Sequence, residues 1–153
     1  MLKYLKKSAI TLVLLCLFAG NSHAAGGYGN SEAQDSIYLK NAKNFLKMKN
    51  YVSAEQLLKT ESVRDSSNAD VWNLLGFTSR KLKKYEQSEA AYERALKLNP
   101  QHKGALEYMG ELYITLGKNL KAKELLTRLK KVCPLGCEEL DALEKTYAAK
   151  YAD

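Results

Sequence analysis

The chain has 153 residues, with 24 Lys and Arg against 17 Asp and Glu, a formal net charge of +7, two histidines and three cysteines. That length suits a single domain. So few histidines and cysteines exclude the His-rich spacings that zinc and other transition-metal sites need.

The first predicted element is a targeting segment. Lys3, Lys6 and Lys7 give a basic start, Ala9 to Gly20 is an apolar run of 12, and Ser22-His23-Ala24 is a small-x-Ala cleavage signal. This reads as a Sec-type secretory signal peptide over 1–24, which places the protein in the periplasm or outside the cell. The apolar run falls short of the roughly 20 residues needed to span a bilayer. An uncleaved anchor and lipidation at Cys16 are the alternatives; Leu15 stands where a lipoprotein signal needs a small residue. Cleavage after Ala24 leaves 129 residues with 21 basic and 17 acidic side chains, a formal charge of +4. Residues 25–34 then form a Gly-rich flexible lead and the start of the first helix.

From there the pattern is helical. Ser31 with Gln34, and Ser53 with Gln56, have capping-box spacing, and Asn68 is placed to cap a further helix. Pro100 and Pro134 end helices, because a proline nitrogen carries no hydrogen for the ladder. Leu140, Leu143, Tyr147 and Tyr151 recur at helical spacing. No stretch sustains period-2 alternation, so the expectation is an all-α fold of seven helices arranged in hairpins.

Two segments superimpose at a spacing of 34: Trp72, Leu75, Gly76, Tyr92, Ala95 and Pro100 map onto Leu106, Met109, Gly110, Leu126, Leu129 and Pro134. A unit of that length is the mark of a stacked helix-turn-helix array, in which each unit buries its apolar face against its neighbours. The run Trp72, Leu75, Gly76, Ser88, Tyr92, Ala95, Pro100 resembles the tetratricopeptide pattern, with Ser79 and Ser88 as departures where the family has Tyr and Ala. The resemblance implies a tetratricopeptide α-solenoid of three repeats, 35–68 (degenerate), 69–102 and 103–136, closed by a C-terminal capping helix over 137–153. In the first repeat Tyr38, Ala42, Phe45, Tyr51, Ala54 and Leu58 fit, while Asn41, Glu61 and Ser66 do not. Glu144 replaces the small residue that a further repeat would need.

Cys133 and Cys137 flank Pro-Leu-Gly at the last join. In an exported chain an even count favours a disulfide that pins the capping helix, worth about 2 kcal/mol for so short a loop. Free thiols, or redox or metal work, are the other readings; the Cys-x3-Cys spacing and the lack of a preceding strand speak against a thioredoxin-type site. The Cys-Pro-x-Gly-Cys-Glu-Glu run also resembles the end of some small exported bacterial tetratricopeptide proteins. Glu138 and Glu139 suit the first turn of the capping helix.

No Ser-His-Asp set, Gly-rich phosphate loop or metal spacing is present in the sequence, and His102 reads as an exposed polar residue at a repeat junction. Neither catalysis nor a cofactor is expected. In the family the first helix of each unit lines a concave groove. Carried over by register, the resemblance implies groove positions Leu39, Lys40, Lys43 and Lys47, then Asp70, Asn73, Phe77, Arg80 and Lys81, then Glu107, Tyr108, Glu111 and Ile114. Such a groove is basic at one end and acidic at the other, with a mixed middle that suits an extended peptide or partner loop.

Family members that clamp chaperone carboxyl termini use Lys and Asn at set positions. Here those positions are Leu39, Lys43, Leu74, Gly104 and Tyr108, which disfavours that ligand. The leading expectation is a non-catalytic interaction module of a bacterial envelope assembly. An accessory subunit of an envelope enzyme is the second reading. Binding of nucleic acid or another anionic surface through Lys40, Lys43, Lys47, Lys49, Lys81, Lys83 and Lys84 is the third, weakened by a charge of only +4 after cleavage. Three repeats leave a homodimer through an outer repeat open.

Overall fold

The computed structural model describes residues 35–151. The signal-like segment, the lead and the Ser31 and Gln34 box lie outside the described residues. Those described form seven helices and no strand: α1 Ile37–Lys47, α2 Tyr51–Arg64, α3 Ala69–Lys81, α4 Tyr85–Leu98, α5 Lys103–Thr115, α6 Asn119–Val132 and α7 Glu138–Tyr151. Helices pack as antiparallel pairs, α1 on α2, α3 on α4 and α5 on α6, and α7 leans on α5 and α6. This is the all-α solenoid with a closing helix that the repeat pattern implies. Among the described residues no helix is long and apolar enough to cross a membrane.

Side chains satisfy the free amides at four helix starts. Ser36 accepts from the Leu39 N–H, Asn50 from Ser53, Asn68 from Asp70 and Val71, and His102 Nδ1 from Ala105. Two expectations are corrected here. Ser53 is not a cap: the tight turn before α2 starts that helix early, the cap falls on Asn50, and Ser53 sits in the first turn. His102 is not simply exposed. Its side chain is 11% exposed, because Nε2–H donates to Asp70 Oδ1 (2.9 Å) while Nδ1 caps α5.

The period of 34 also governs the polar joints. Lys49, Lys83 and Gly117 take φ of 58°, 60° and 70° at the turn inside each pair, one period apart. At each turn the amide one residue further on bonds back across six residues, Asn50 to Phe45, Lys84 to Ser79 and Lys118 to Tyr113, which ends the first helix of the pair. Glu55 pairs with Lys84 (2.7 Å) and Glu89 with Lys118 (3.0 Å), joining each second helix to the next turn. Burial pulls both carboxyls upward, but the lysine hydrogen bonds, and for Glu89 first the Tyr113 hydroxyl, outweigh it and leave both below the usual value. Arg94 donates to the Ser66 carbonyl and Arg128 to the Pro100 carbonyl, again one period apart. Ser66 therefore holds the place of the missing proline, and what that joint uses is its carbonyl.

Two buried clusters make the core. Leu39, Ala42, Leu58, Val71, Leu75 and Ala91 form one, and the second runs from Tyr92 through Leu106, Leu112 and Leu129 to Leu143. Trp72 packs against both. Glycine sets the close approaches. A Cβ on Gly76 would stand 2.6 Å from the Tyr92 ring, and one on Gly110 2.7 Å from Leu143 Cδ1. Ser88, where the family has Ala, is fully buried and donates its hydroxyl to the Gly76 carbonyl (2.7 Å), so the added polar atom is satisfied. The Cys133 and Cys137 sulfurs lie against each other just before α7, with Cα atoms 5.8 Å apart.

Candidate functional site

The first helix of each pair carries the candidate surface. On α3, residues 73, 77 and 80 recur at three- and four-residue steps and so share one face; on α5, residues 104, 107, 108 and 111 do the same. These two faces meet. The Phe77 and Tyr108 rings pack at 5.2 Å between centroids, and Tyr51 from the start of α2 meets Phe77 edge-on at 6.4 Å. The Arg80 guanidinium lies 5.8 Å from the Phe77 centroid and 5.9 Å from that of Tyr108, and it donates to Glu111 at 2.5 Å. Lys81 covers the outer side of Phe77 at 5.1 Å.

Several polar groups here are buried. Asn73 is 7% exposed and Glu107 8% exposed. Asn73 Oδ1 and Arg80 Nε have no hydrogen-bond partner among the described residues. Burial, then the charges of Glu111 and Glu139, push the Glu107 carboxyl up to about 7 against the opposing pull of Arg80. Burial and the charge of Glu107 also raise the Tyr108 hydroxyl.

The register places some expected groove residues elsewhere. Leu39 and Ile114 are 2% and 5% exposed and belong to the two buried clusters, Leu39 with Leu58 and Val71 and Ile114 with Leu112 and Tyr113, so neighbouring side chains cover them although Lys43 and Glu111 share their helix faces. Both are removed from the candidate surface. Lys43 pairs with Asp35 (2.6 Å), whereas Lys40, Lys47, Lys81 and Asp70 stand exposed. Arg80 is committed to Glu111 rather than offered to a ligand. Lys84, one of the lysines considered for anion binding, is committed to Glu55. Residue-by-residue reading missed Tyr51, and missed that Glu138 and Glu139 add negative charge around Glu107.

A separate cavity of about 400 Å³ lies on the other side of the array between α4 and α6. It is floored by Leu96, Met109 and Leu125 and rimmed by Lys97, Lys121 and Glu124.

Comparison with known proteins agrees with this architecture. Residues 69–102 match the tetratricopeptide repeat family. The chain is 28% identical over 83 residues, 54% of its length, to tetratricopeptide repeat protein 37 of Xenopus laevis. It is 28% identical over 75 residues, 49% of its length, to superkiller complex protein 3 of Mus musculus. In both cases it spans only 5% of the relative.

Among solved structures, the first repeat domain of Spaghetti (RPAP3) bound to the HSP90 peptide SRMEEVD superimposes with a TM-score of 0.66 at 21% identity, covering 74% of this chain and 90% of that one. The Yersinia enterocolitica type III secretion translocator chaperone SycD gives 0.67 at 15%, covering 75% and 79%. PcrH, in complex with the chaperone-binding region of PopD, gives 0.66 at 15%, covering 75% and 86%. The protein thus has the all-α fold of tetratricopeptide solenoids, with the family's sequence pattern matched over residues 69–102.

Proposed function

We propose that the protein is a non-catalytic interaction module of the bacterial cell envelope, which holds an extended peptide or a partner loop against the α3 and α5 face. The observation that carries this reading is the contact of the partly exposed Phe77 and Tyr108 rings, 5.2 Å apart between centroids, which joins α3 and α5 on one face. The rings give rigid apolar contact of the kind that anchors interfaces. The exposed Lys40 and Lys47 at one end and the carboxylates at the other set a direction for a dipolar segment. Solved relatives of this fold holding an HSP90 peptide or a segment of PopD support a peptide as the ligand class. Export rests on the sequence of residues 1–24, and on the same basis the array works in the periplasm or outside the cell.

The test is peptide binding with the aromatic wall removed. Phe77→Ala with Tyr108→Ala is expected to weaken groove-bound peptides about 30-fold or more while helicity is kept. Unchanged affinity in the folded double variant would refute the groove. Arg80 is a poor probe, since a glutamate there would join Glu107 and Glu111 and strain the fold itself.

We also propose that Cys133 and Cys137 form a disulfide that fixes the approach to α7. Cys133→Ser is expected to raise hydrogen exchange in α7, with a loss of about 2 kcal/mol in protection. Equal exchange in oxidised wild type and variant would remove the structural role.

A further inference from the structure

Aromatic rings recur at the period of 34 on the first helix of each pair, with one gap. Phe45 on α1 and Tyr113 on α5 stand one period either side of Ser79 on α3, which is 1% exposed. Where the ring of α5 is present it is tied down: the Tyr113 hydroxyl donates to Glu89 Oε1 (2.8 Å), while Lys118 holds Glu89 Oε2 (3.0 Å). One period earlier the carboxylate is Glu55. There Lys84 spreads over both oxygens (2.9 and 2.7 Å), Lys59 meets Oε1 at 3.3 Å, and among the described residues no hydroxyl reaches Glu55. The Lys84 N–H also bonds to the Ser79 carbonyl (2.9 Å), so one lysine joins the site of the missing ring to the acceptor that such a ring uses.

Beside Ser79 a cavity of about 350 Å³ opens between α2 and α4, one period before the α4 and α6 cavity that Tyr113 lines. Their walls differ. Leu75, Ala90 and Ala91 stand where the later cavity has Met109, Glu124 and Leu125, and Trp72 adds an aromatic side. Of the described residues that line the earlier cavity only Lys59 is charged, and it leads directly to Glu55. Apolar walls with a carboxylate beyond one end suit a flat apolar group with a single donor at its tip. Residues 72, 75 and 79 share the face of α3 turned away from 73, 77 and 80, so this site is separate from the groove.

We propose that the cavity is a socket for one tyrosine side chain of a partner, which supplies from outside the ring that the period lacks at position 79. The ring would lie against Trp72, Leu75 and Ala91, and its hydroxyl would donate to Glu55 Oε1 as Tyr113 does to Glu89. Complementarity selects this occupant. An aliphatic side chain brings no donor, and a carboxylate would face Glu55.

The experiment titrates the full protein with N-acetyl-tyrosinamide and follows amide and indole resonances by NMR. Trp72 is the one tryptophan in the chain, so its indole N–H reports on the cavity without ambiguity. Saturable shifts are expected at Trp72, Ser79 and Ala91, with affinity about threefold or more above that for N-acetyl-phenylalaninamide and no saturable shift there from N-acetyl-leucinamide. Ser79→Tyr supplies the ring internally and is expected to abolish the response. Ala90→Leu narrows the mouth from an exposed position and is expected to weaken binding about tenfold, which keeps the test open should the first variant fail to fold. Phe77→Ala with Tyr108→Ala is expected to leave the response unchanged, which separates socket from groove. No saturable shift at Trp72 and Ser79 with the tyrosine probe, equal affinity for the phenylalanine or leucine probe, or a full response in Ala90→Leu or folded Ser79→Tyr would overturn the socket and leave the groove reading standing.

Discussion

Alanine at position 92 is expected to cost about 3–5 kcal/mol of unfolding free energy, the range for deleting a large buried aromatic ring. Tyr92 is fully buried, its ring fills the space that Gly76 leaves open, and it begins the cluster that runs to Leu143. Loss of the ring opens a cavity between α3 and α4 that neither helix can close, because their approach is already set by glycine. A domain of this size has about 5–15 kcal/mol in all, so the variant should be partly unfolded near 37 °C. Denaturant titration followed by circular dichroism reads the effect. A loss under about 1 kcal/mol would mean that Tyr92 is not the joint described here. Tyr92→Phe should be close to neutral, since the hydroxyl it removes has no partner among the described residues.

The second large effect concerns Glu107 and pH. The folded protein holds that proton up to about 7, against an ordinary 4.5, so folding is favoured while the group is protonated in both states. As pH rises above 4.5 the unfolded chain ionises first, and stability falls until the folded carboxyl has also titrated near 7. The loss over that window is on the order of 3 kcal/mol. Glu55 and Glu89, held below their usual value, act with the opposite sign: their contribution is present above 4.5 and is lost at lower pH. The difference between wild type and Glu107→Gln therefore isolates one group. The variant should be the more stable of the two at pH 8 and should lack the decline between 4.5 and 7. Parallel stability curves for the two proteins across that range would show that Glu107 is not buried among like charges.

The period was readable because residues such as Gly76 and Gly110 sit where two helices must touch, and a missing side chain leaves a clear trace in the sequence. The same period also marked Glu55 with Glu89 and Lys84 with Lys118, a joint that a search for apolar residues passes over. Other features had no such trace. Register alone turns Leu39 and Ile114 toward the groove, and register cannot tell which positions of a shared face a neighbouring helix covers. The Arg80 and Glu111 pair spans 31 residues and depends on how α3 meets α5, which spacing does not reveal. Asn50 displaced Ser53 as a cap because the positive φ at Lys49 brings the α2 start forward. The burial of Asn73 and Glu107 arose the same way: each reads as an ordinary polar helix residue until α3, α5 and α7 are brought together.

In the proposed function the partner lies on the α3 and α5 face. A photo-reactive phenylalanine analogue at position 77, with the same group at exposed Thr127 on α6 as the contrast, tests it most directly in cells of the native host. The account predicts that one envelope protein is crosslinked repeatedly from position 77 and not from 127. Crosslinks from 77 only to further copies of this chain, or the same products from both positions, would contradict it.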